Sequence, residues 1–383
     1  MRLRGRTNRG WRHATRGVTV LELLIVMTIL LMITAATIPF VTPAVQNRRM
    51  RESSRLVSTY VSAARSRAIE TGRSVGVLFQ RFNSLPLAYT LSYVEMPPPY
   101  AGESASATAS VTLNGMNQLR ADMGILANFN PAMLRVGDQI QFNFQGPRYT
   151  ITGPDTGTTQ DGTIDSPPDS STATILELAL PAGITRMPWN NTPALVSYQI
   201  FRQPVGSPLP PLQLPEGICV DLFSSGIGSG GTFPIVPAGL TPADWTTKPP
   251  LTFDPIVMFG PGGGLEWIYV ASNRTDSAEP VRPTGPVYFL IGRRDLMADV
   301  SKASPQVDEN VFDPRDPRLS PPPTSSTPPP TYAYLENFWI TVSPQTGLVT
   351  VTQMSRNPNQ PNQPWSIADA RLNAITGQQQ GGR

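Results

Sequence analysis

The chain has 383 residues, of which 42 are proline and 31 glycine, with a single cysteine and a single histidine. Cys219 standing alone excludes a disulfide within the chain, and His13 lies in an arginine-rich N-terminal stretch. The remainder therefore lacks the residues for Ser-His or Cys-His nucleophilic machinery and for histidine or multi-cysteine zinc sites. The net charge of +3 is no nucleic-acid signal, because Arg2, Arg4, Arg6, Arg9, Arg12 and Arg16 precede Gly17 without an acid, and their removal turns the balance to −3.

The first predicted element is an apolar run from Val18 to Ile38, interrupted by one carboxylate, Glu22. At about 1.5 Å per residue the run reaches roughly 31 Å, the thickness of a bilayer core, where a carboxylate at mid-depth costs roughly 2.5 to 3.5 kcal/mol. An ordinary anchor has no need of such a residue. A secretory signal peptide has a shorter apolar core, of roughly 7 to 15 residues, and a better cleavage site than Ala35-Ala36.

The stretch Arg16-Gly17-Val18-Thr19-Val20-Leu21-Glu22-Leu23-Leu24-Ile25-Val26-Met27 resembles the class III signal of type IV pilins and type II secretion pseudopilins. The resemblance implies a basic leader, 1–17, cut after Gly17 by a prepilin peptidase that methylates Val18. That family more often has phenylalanine at this first position. It also implies that Glu22 pairs with the N-terminal ammonium of a neighbouring subunit, and that Pro39 is the family's helix-kinking proline. The expected partners are other pilins or pseudopilins in a filament, an inner-membrane assembly platform, an ATPase and membrane lipid. The expected place is the bacterial inner membrane, crossed once by 18–39, with the rest in the periplasm or cell envelope and in a filament after assembly.

Residues 40–72 read as the periplasmic half of the same helix. Pro39 and Pro43 are expected to kink or interrupt it. Beyond them, Val57, Val61, Ala64 and Ala68 recur at helical spacing, with Leu56 and Tyr60 alongside, and Thr71-Gly72 is a C-terminal stop. Arg48, Arg49, Arg51, Arg55, Arg65, Arg67 and Arg73 populate the other faces, a pattern that favours a solvated or headgroup-facing surface over nucleic acid.

The periodicity then changes to short β-branched and aromatic runs bounded by Gly, Pro, Asn and Asp. Predicted strands are Ser74 to Gln80, Ala88 to Glu95, Gln139 to Phe144, Thr174 to Leu180, Leu195 to Arg202, Gly217 to Phe223, Ile256 to Phe259, Glu266 to Val270, Val287 to Gly292 and Phe338 to Val342. The last opens a hairpin whose turn is marked by Pro344 and Gly347. The passage Ala63 to Val77, with Leu214 to Leu222 and Ile256 to Gly263, is similar to blocks of the GspH and FimT type minor pseudopilins.

Four stretches rich in Pro, Gly, Ser and Thr, Met96 to Ser110, Gly153 to Ser171, Ser224 to Pro250 and Ala303 to Thr331, read as exposed insertions in one head domain, 73–356. The tail 357–383 is polar around a short helical candidate, Ile367 to Ile375, and is expected at the periphery. The acids Asp155, Asp161, Asp165 and Asp169 do not match a calcium-binding loop, and Gly226 to Gly231 and Gly260 to Gly264 lack the ending of a phosphate-binding loop. The expected fold is therefore α+β and pilin-like: a long N-terminal transmembrane and amphipathic helix packed on an antiparallel β-rich head with long insertions. The expected role is a non-enzymatic, cofactor-free filament subunit. A DNA-uptake or adhesive minor pilin, or an anchored ligand-binding or enzymatic head, is the alternative.

Overall fold

The computed structural model describes residues 19–81, 87–113, 119–125, 130, 133–154, 173–179, 194–228, 231–232, 254–271, 278–296, 298–299, 306–307, 334–355 and 366–381. By its internal contacts the chain divides into two units, Met1–Arg49 and Met50–Arg383. Helix α1 (Val20–Thr71) belongs to the first unit up to Arg49 and to the second from Met50. Its helical assignment continues through Pro39 and Pro43, so neither proline ends it. Gly72, with φ +64°, follows its last residue at the expected stop.

In the second unit α1 is followed by β1 (Val75–Arg81) and β2 (Leu87–Glu95). One block of six strands comes next: β3 (Thr108–Leu113), β4 (Leu119–Ile125), β5 (Gln139–Phe142), β6 (Arg148–Pro154), β7 (Ala173–Ala179) and β8 (Ala194–Phe201). The chain continues through β9 (Val205–Gly206), β10 (Leu212–Gln213), β11 (Ile218–Ile227), β12 (Gly231–Thr232), β13 (Ile256–Phe259), β14 (Leu265–Ala271), β15 (Ala278–Val281) and β16 (Val287–Arg293). After them stand β17 (Ala298–Asp299), β18 (Gln306–Val307), β19 (Phe338–Val342), β20 (Val349–Gln353) and helix α2 (Ile367–Gly381).

These strands form a 12-stranded sheet whose main path runs β15-β14-β13-β1-β2-β11-β16-β19-β20, a closed barrel β3-β4-β7-β6-β5-β8, and the small ribbon β17-β18. The expectation of a pilin-like α+β fold, a long helix packed on an antiparallel β-rich head, is corrected by this architecture: 44% of the described residues are strand. The predicted strands exist within a residue or two, except that β11 runs on to Ile227, but the barrel as a closed unit was not legible. Its strands β3, β4 and β6 carry Ala, Thr, Ser and Gly where an open sheet would carry Val or Ile. Closure lets such small residues serve, because the interior is narrow and alternation alone fills it. Leu176 and Leu178 on β7, and Val196, Tyr198 and Ile200 on β8, point inward with Ala109, Ala121 and Phe142. Met96 to Ser110, expected as an exposed insertion, contributes buried Tyr100, Ala107 and Ala109 to the barrel core.

The transmembrane reading of 18–39 is also corrected. No helix among the described residues is long and apolar enough to cross a membrane, and with it falls the expected single-pass placement in the inner membrane. Side chains are described from Thr19 to Thr34.

The large sheet packs its one face on the apolar stripe of α1. Val57, Val61, Ala64 and Ala68 are fully buried there against Val77, Phe79, Val257, Phe289 and Ile340. Strand β16 is buried on both faces, since Tyr288 and Leu290 turn away from α1 and pack with Trp339, Met354, Ala370 and Ala374 of the α2 side. Helix α2 is thus part of the core, which corrects the expected peripheral tail. Its Arg371 is fully buried, lies 5.4 Å from the Tyr288 ring and 5.8 Å from that of Trp339, and donates to the carbonyls of Ser224 (2.8 Å) and Gly228 (3.1 Å). Ser224 lies inside the bulge of β11 between Asp221 and Gly226, where the ladder to β16 slips and leaves backbone oxygens in need of a donor, and Gly228 follows the end of that strand. Burial lowers the Arg371 pKa to about 10, which leaves it charged at neutral pH.

The sheet curls until turns from its two ends meet. The β13–β14 turn, closed by the Gly263 N–H on the Gly260 carbonyl, and the β19–β20 turn are joined by the Leu265 N–H on the Pro344 carbonyl at 2.8 Å. Arg65 of α1 reaches both, its Nε donating to the carbonyls of Gly263 (3.1 Å) and Thr346 (2.8 Å). Gly347 sits at this junction with φ +63°, and a Cβ there would stand 1.9 Å from the Gly263 carbonyl oxygen. The approach of the two turns therefore requires glycine.

Candidate functional site

The sequence-predicted site lies at the start of α1. Gly17 and Val18 fall outside the described residues, as do Asp155, Asp161, Asp165 and Asp169. Pro39 lies within the helical backbone. Glu22 is in the first turn, where its N–H donates to the Thr19 hydroxyl at 3.2 Å. Thr19-Val20-Leu21-Glu22 thus has the spacing of a capping box, with Thr19 as the N-cap and Glu22 at the third helical position, near the positive end of the helix dipole. The sequence did not mark Thr19 as the cap of this helix.

From Val20 to Ile33 every apolar side chain is exposed, from 48% at Ile25 to 83% at Val20. Because successive residues step around the helix, an unbroken series such as Leu23 to Met27 leaves no polar side. The two threonines of the stretch do not supply one: the Thr28 hydroxyl donates to the Ile25 carbonyl (2.8 Å) and that of Thr34 to the Leu30 carbonyl (2.7 Å). Glu22 is therefore the one side chain between Val20 and Thr34 whose polar group faces outward, and no hydrogen bond or ion pair engages its carboxylate among the described residues. From Val20 to Thr34 the helix is an apolar rod with a single carboxylate at its N-terminal end.

Two of the arginines read from the sequence as surface charge have structural duties. Arg65 holds the two turns, and the Arg67 guanidinium stacks 5.8 Å from the Tyr93 ring. Arg48, Arg49, Arg51 and Arg55 are exposed. A nucleic-acid stripe along the helix thereby loses two of its members, because their charge is spent inside the fold.

Elsewhere the chemistry is structural. Cys219 is fully buried, its thiol pushed up by burial and by the neighbouring Asp221 carboxylate, so the reactive thiolate is suppressed. Asp221 itself accepts from the Ser224 hydroxyl at 2.7 Å and from the Phe223 and Ser224 N–H groups inside the bulge of β11. Among the described residues no group of three His, Cys, Asp or Glu side chains is arranged to hold a metal ion. Gly260 to Gly264 form the β13–β14 turn, and Gly226 and Gly231 lie in the β11–β12 ladder, so these glycines serve the sheet. Comparison of the chain with protein-family models, with curated proteins and with solved structures found no match in any of the three.

Proposed function

We propose that the chain is a structural subunit of a filament of the type IV pilus or type II secretion kind, matured by cleavage after Gly17. The observation that carries this reading is the apolar rod of α1, exposed on every side and bearing one outward carboxylate in its first turn. Water is a poor environment for such a rod, since burying each Leu, Ile or Val side chain gains about 1.5 to 3 kcal/mol. A bundle of the same helices from other copies buries all faces at once. Within that bundle Glu22 needs a cation, and the new N-terminal ammonium of an adjacent copy supplies one at a matching depth. A prepilin peptidase, a platform protein and an ATPase would be the accessory partners. The β-rich second unit departs from the modest head of a pilin and would be carried as cargo on the filament surface.

Intact-mass analysis tests the reading together with fractionation of cells expressing wild type, Glu22→Gln and Glu22→Ala. The expected result is a mature chain beginning at methylated Val18, with wild type in the filament fraction and both variants depleted from it. An unpartnered buried ammonium costs several kcal/mol, whereas loss of a cap contribution alone costs about 0.3 to 1 kcal/mol and leaves assembly intact. A wild-type product that retains residues 1–17 overturns the proposal. Normal incorporation of Glu22→Ala overturns the pairing role.

A further inference from the structure

A cleft of about 160 Å³ opens between the barrel and the end of the large sheet, where β5, β6 and β8 face β14 and β15. At about 30 Å³ per water molecule in the liquid it holds roughly five waters, the scale of one six-membered ring with its substituents. Its lining combines aromatic residues with polar groups that the fold engages to different degrees. Phe201, Trp267 and Tyr269 supply apolar surface, and Gln139, Arg148 and Glu266 supply polarity.

The polar groups differ in what they have left to offer. The Arg148 guanidinium lies over the Phe201 ring at 3.6 Å from its centroid, and among the described residues no hydrogen bond or ion pair uses its N–H groups. The Tyr269 phenol is held protonated by burial and by the nearby Glu266 and Asp138 carboxylates, with Arg148 close enough to offset them in part, so it remains a donor. Glu266 accepts the Ser74 hydroxyl on one oxygen, Oε2, which leaves the other oxygen for a second donor. The Gln139 amide makes no hydrogen bond among the described residues. Asp138, behind the wall, is occupied by the N–H groups of Arg135 (2.8 Å) and Gln203 (2.8 Å), and it offsets Arg202. Arg148 is left as the cation of the cleft without an acidic partner.

We propose that this cleft binds a single acidic sugar ring of the uronate class. A carboxylate suits the free fork of Arg148, which presents paired N–H donors. Ring hydroxyls, each both donor and acceptor, suit the mixed set of Tyr269 hydroxyl, Gln139 amide and Glu266 oxygen. The C–H face of a pyranose suits the aromatic wall, as small-ligand sites pair apolar surface with a few placed polar groups. A simple carboxylate such as acetate leaves the hydroxyl partners empty, and a neutral hexose leaves Arg148 empty. The site lies wholly in the second unit and is independent of the filament reading.

Isothermal titration of the full chain with glucuronate, glucose and acetate tests the assignment. Glucuronate is expected to bind saturably with a Kd at or below about 1 mM, at least tenfold tighter than glucose or acetate. Arg148 is exposed, so Arg148→Gln is expected to keep the wild-type melt and to weaken glucuronate by at least about tenfold while leaving glucose unchanged. Tyr269→Phe is expected to weaken it severalfold. The proposal is overturned by absence of saturable glucuronate binding, by glucose or acetate binding as tightly as glucuronate, or by unchanged glucuronate affinity in folded Arg148→Gln.

Discussion

Two stretches of α1 carry apolar residues in different arrangements and have opposite fates. Between Val57 and Ala68, Val57, Val61, Ala64 and Ala68 form one stripe fully buried by the sheet, and the other faces carry Arg, Ser, Tyr and the partly buried Ala63. Between Val20 and Ile33 the apolar residues occupy every face and all are exposed. A stripe asks for one layer and a fully apolar cylinder asks for surroundings, so angular distribution decides the kind of partner a helix needs. Residue size matters as well. Ala64 and Ala68 allow the sheet to approach α1 closely, whereas Leu23, Leu24, Leu30 and Leu31 present bulk suited to interdigitation with like side chains.

The largest expected effect comes from breaking the stripe while sparing the rod. Val61→Asp places a carboxylate at a fully buried position against the sheet, and a loss of more than about 4 kcal/mol is expected, seen as loss of the cooperative melt of the second unit. Leu24→Asp is the paired change in the rod, where the side chain is 58% exposed. It should leave the melt within about 0.5 kcal/mol of wild type and remove the chain from the filament fraction. Equal destabilisation by the two substitutions would abolish the distinction between stripe and rod.

An intermediate effect is expected at Arg65, whose charged N–H serves the carbonyls of Gly263 and Thr346. Hydrogen bonds from charged groups contribute about 1.5 to 3 kcal/mol when buried, and this side chain is partly solvated. Arg65→Ala should therefore cost about 2 kcal/mol in denaturant unfolding. It should also speed amide exchange at Leu265, whose N–H bonds the Pro344 carbonyl across the two turns. Unchanged exchange there would mean that the turns hold each other without the helix.

The last effect, confined to a pH window, belongs to Asp138. Burial raises its pKa from 3.8 to about 6, so the folded state holds a proton that the unfolded state has already released. The sign follows from linkage: this contribution is fully present below pH ~4 and is lost as pH rises through ~6, at no more than about 1.4 kcal/mol per pKa unit. The melting temperature of wild type minus that of Asp138→Asn should fall between pH 4 and 7 and then level off. A flat difference would show that the N–H bonds from Arg135 and Gln203 compensate the burial.

Much of the large sheet was legible in advance. Ile256–Phe259 and Phe338–Val342 match their predicted limits, because continuous β-branched and aromatic runs suit strands buried on both faces. The Pro344 to Gly347 turn was legible from turn chemistry, although its contact with the β13–β14 turn was not. The barrel escaped notice because its partners are non-local: β3 pairs with β8, almost ninety residues away, and Ala109 and Ala121 look unremarkable until closure puts them inside. The helix of the tail was legible as Ile367 to Ile375, but its polar composition concealed the burial of α2, since Arg371 reads as a surface residue unless the bulge of β11 and the rings of Tyr288 and Trp339 are known to surround it. None of the cleft was legible, for Arg148 and Tyr269 meet only where barrel and sheet abut.

By itself the sequence determined the local properties: the helical stripe, the all-round apolar rod with its one carboxylate, the glycine stop at Gly72 and the identity of the best strands. Each depends on side-chain chemistry within a few residues, where periodicity and turn preference act directly. Tertiary structure alone decided the order of twelve strands, the closure of the barrel, the meeting of two turns under Arg65 and the burial of Arg371. Those depend on which distant segments satisfy one another's hydrogen bonds and apolar faces. The same local pattern permits many such pairings, and only their joint packing selects one.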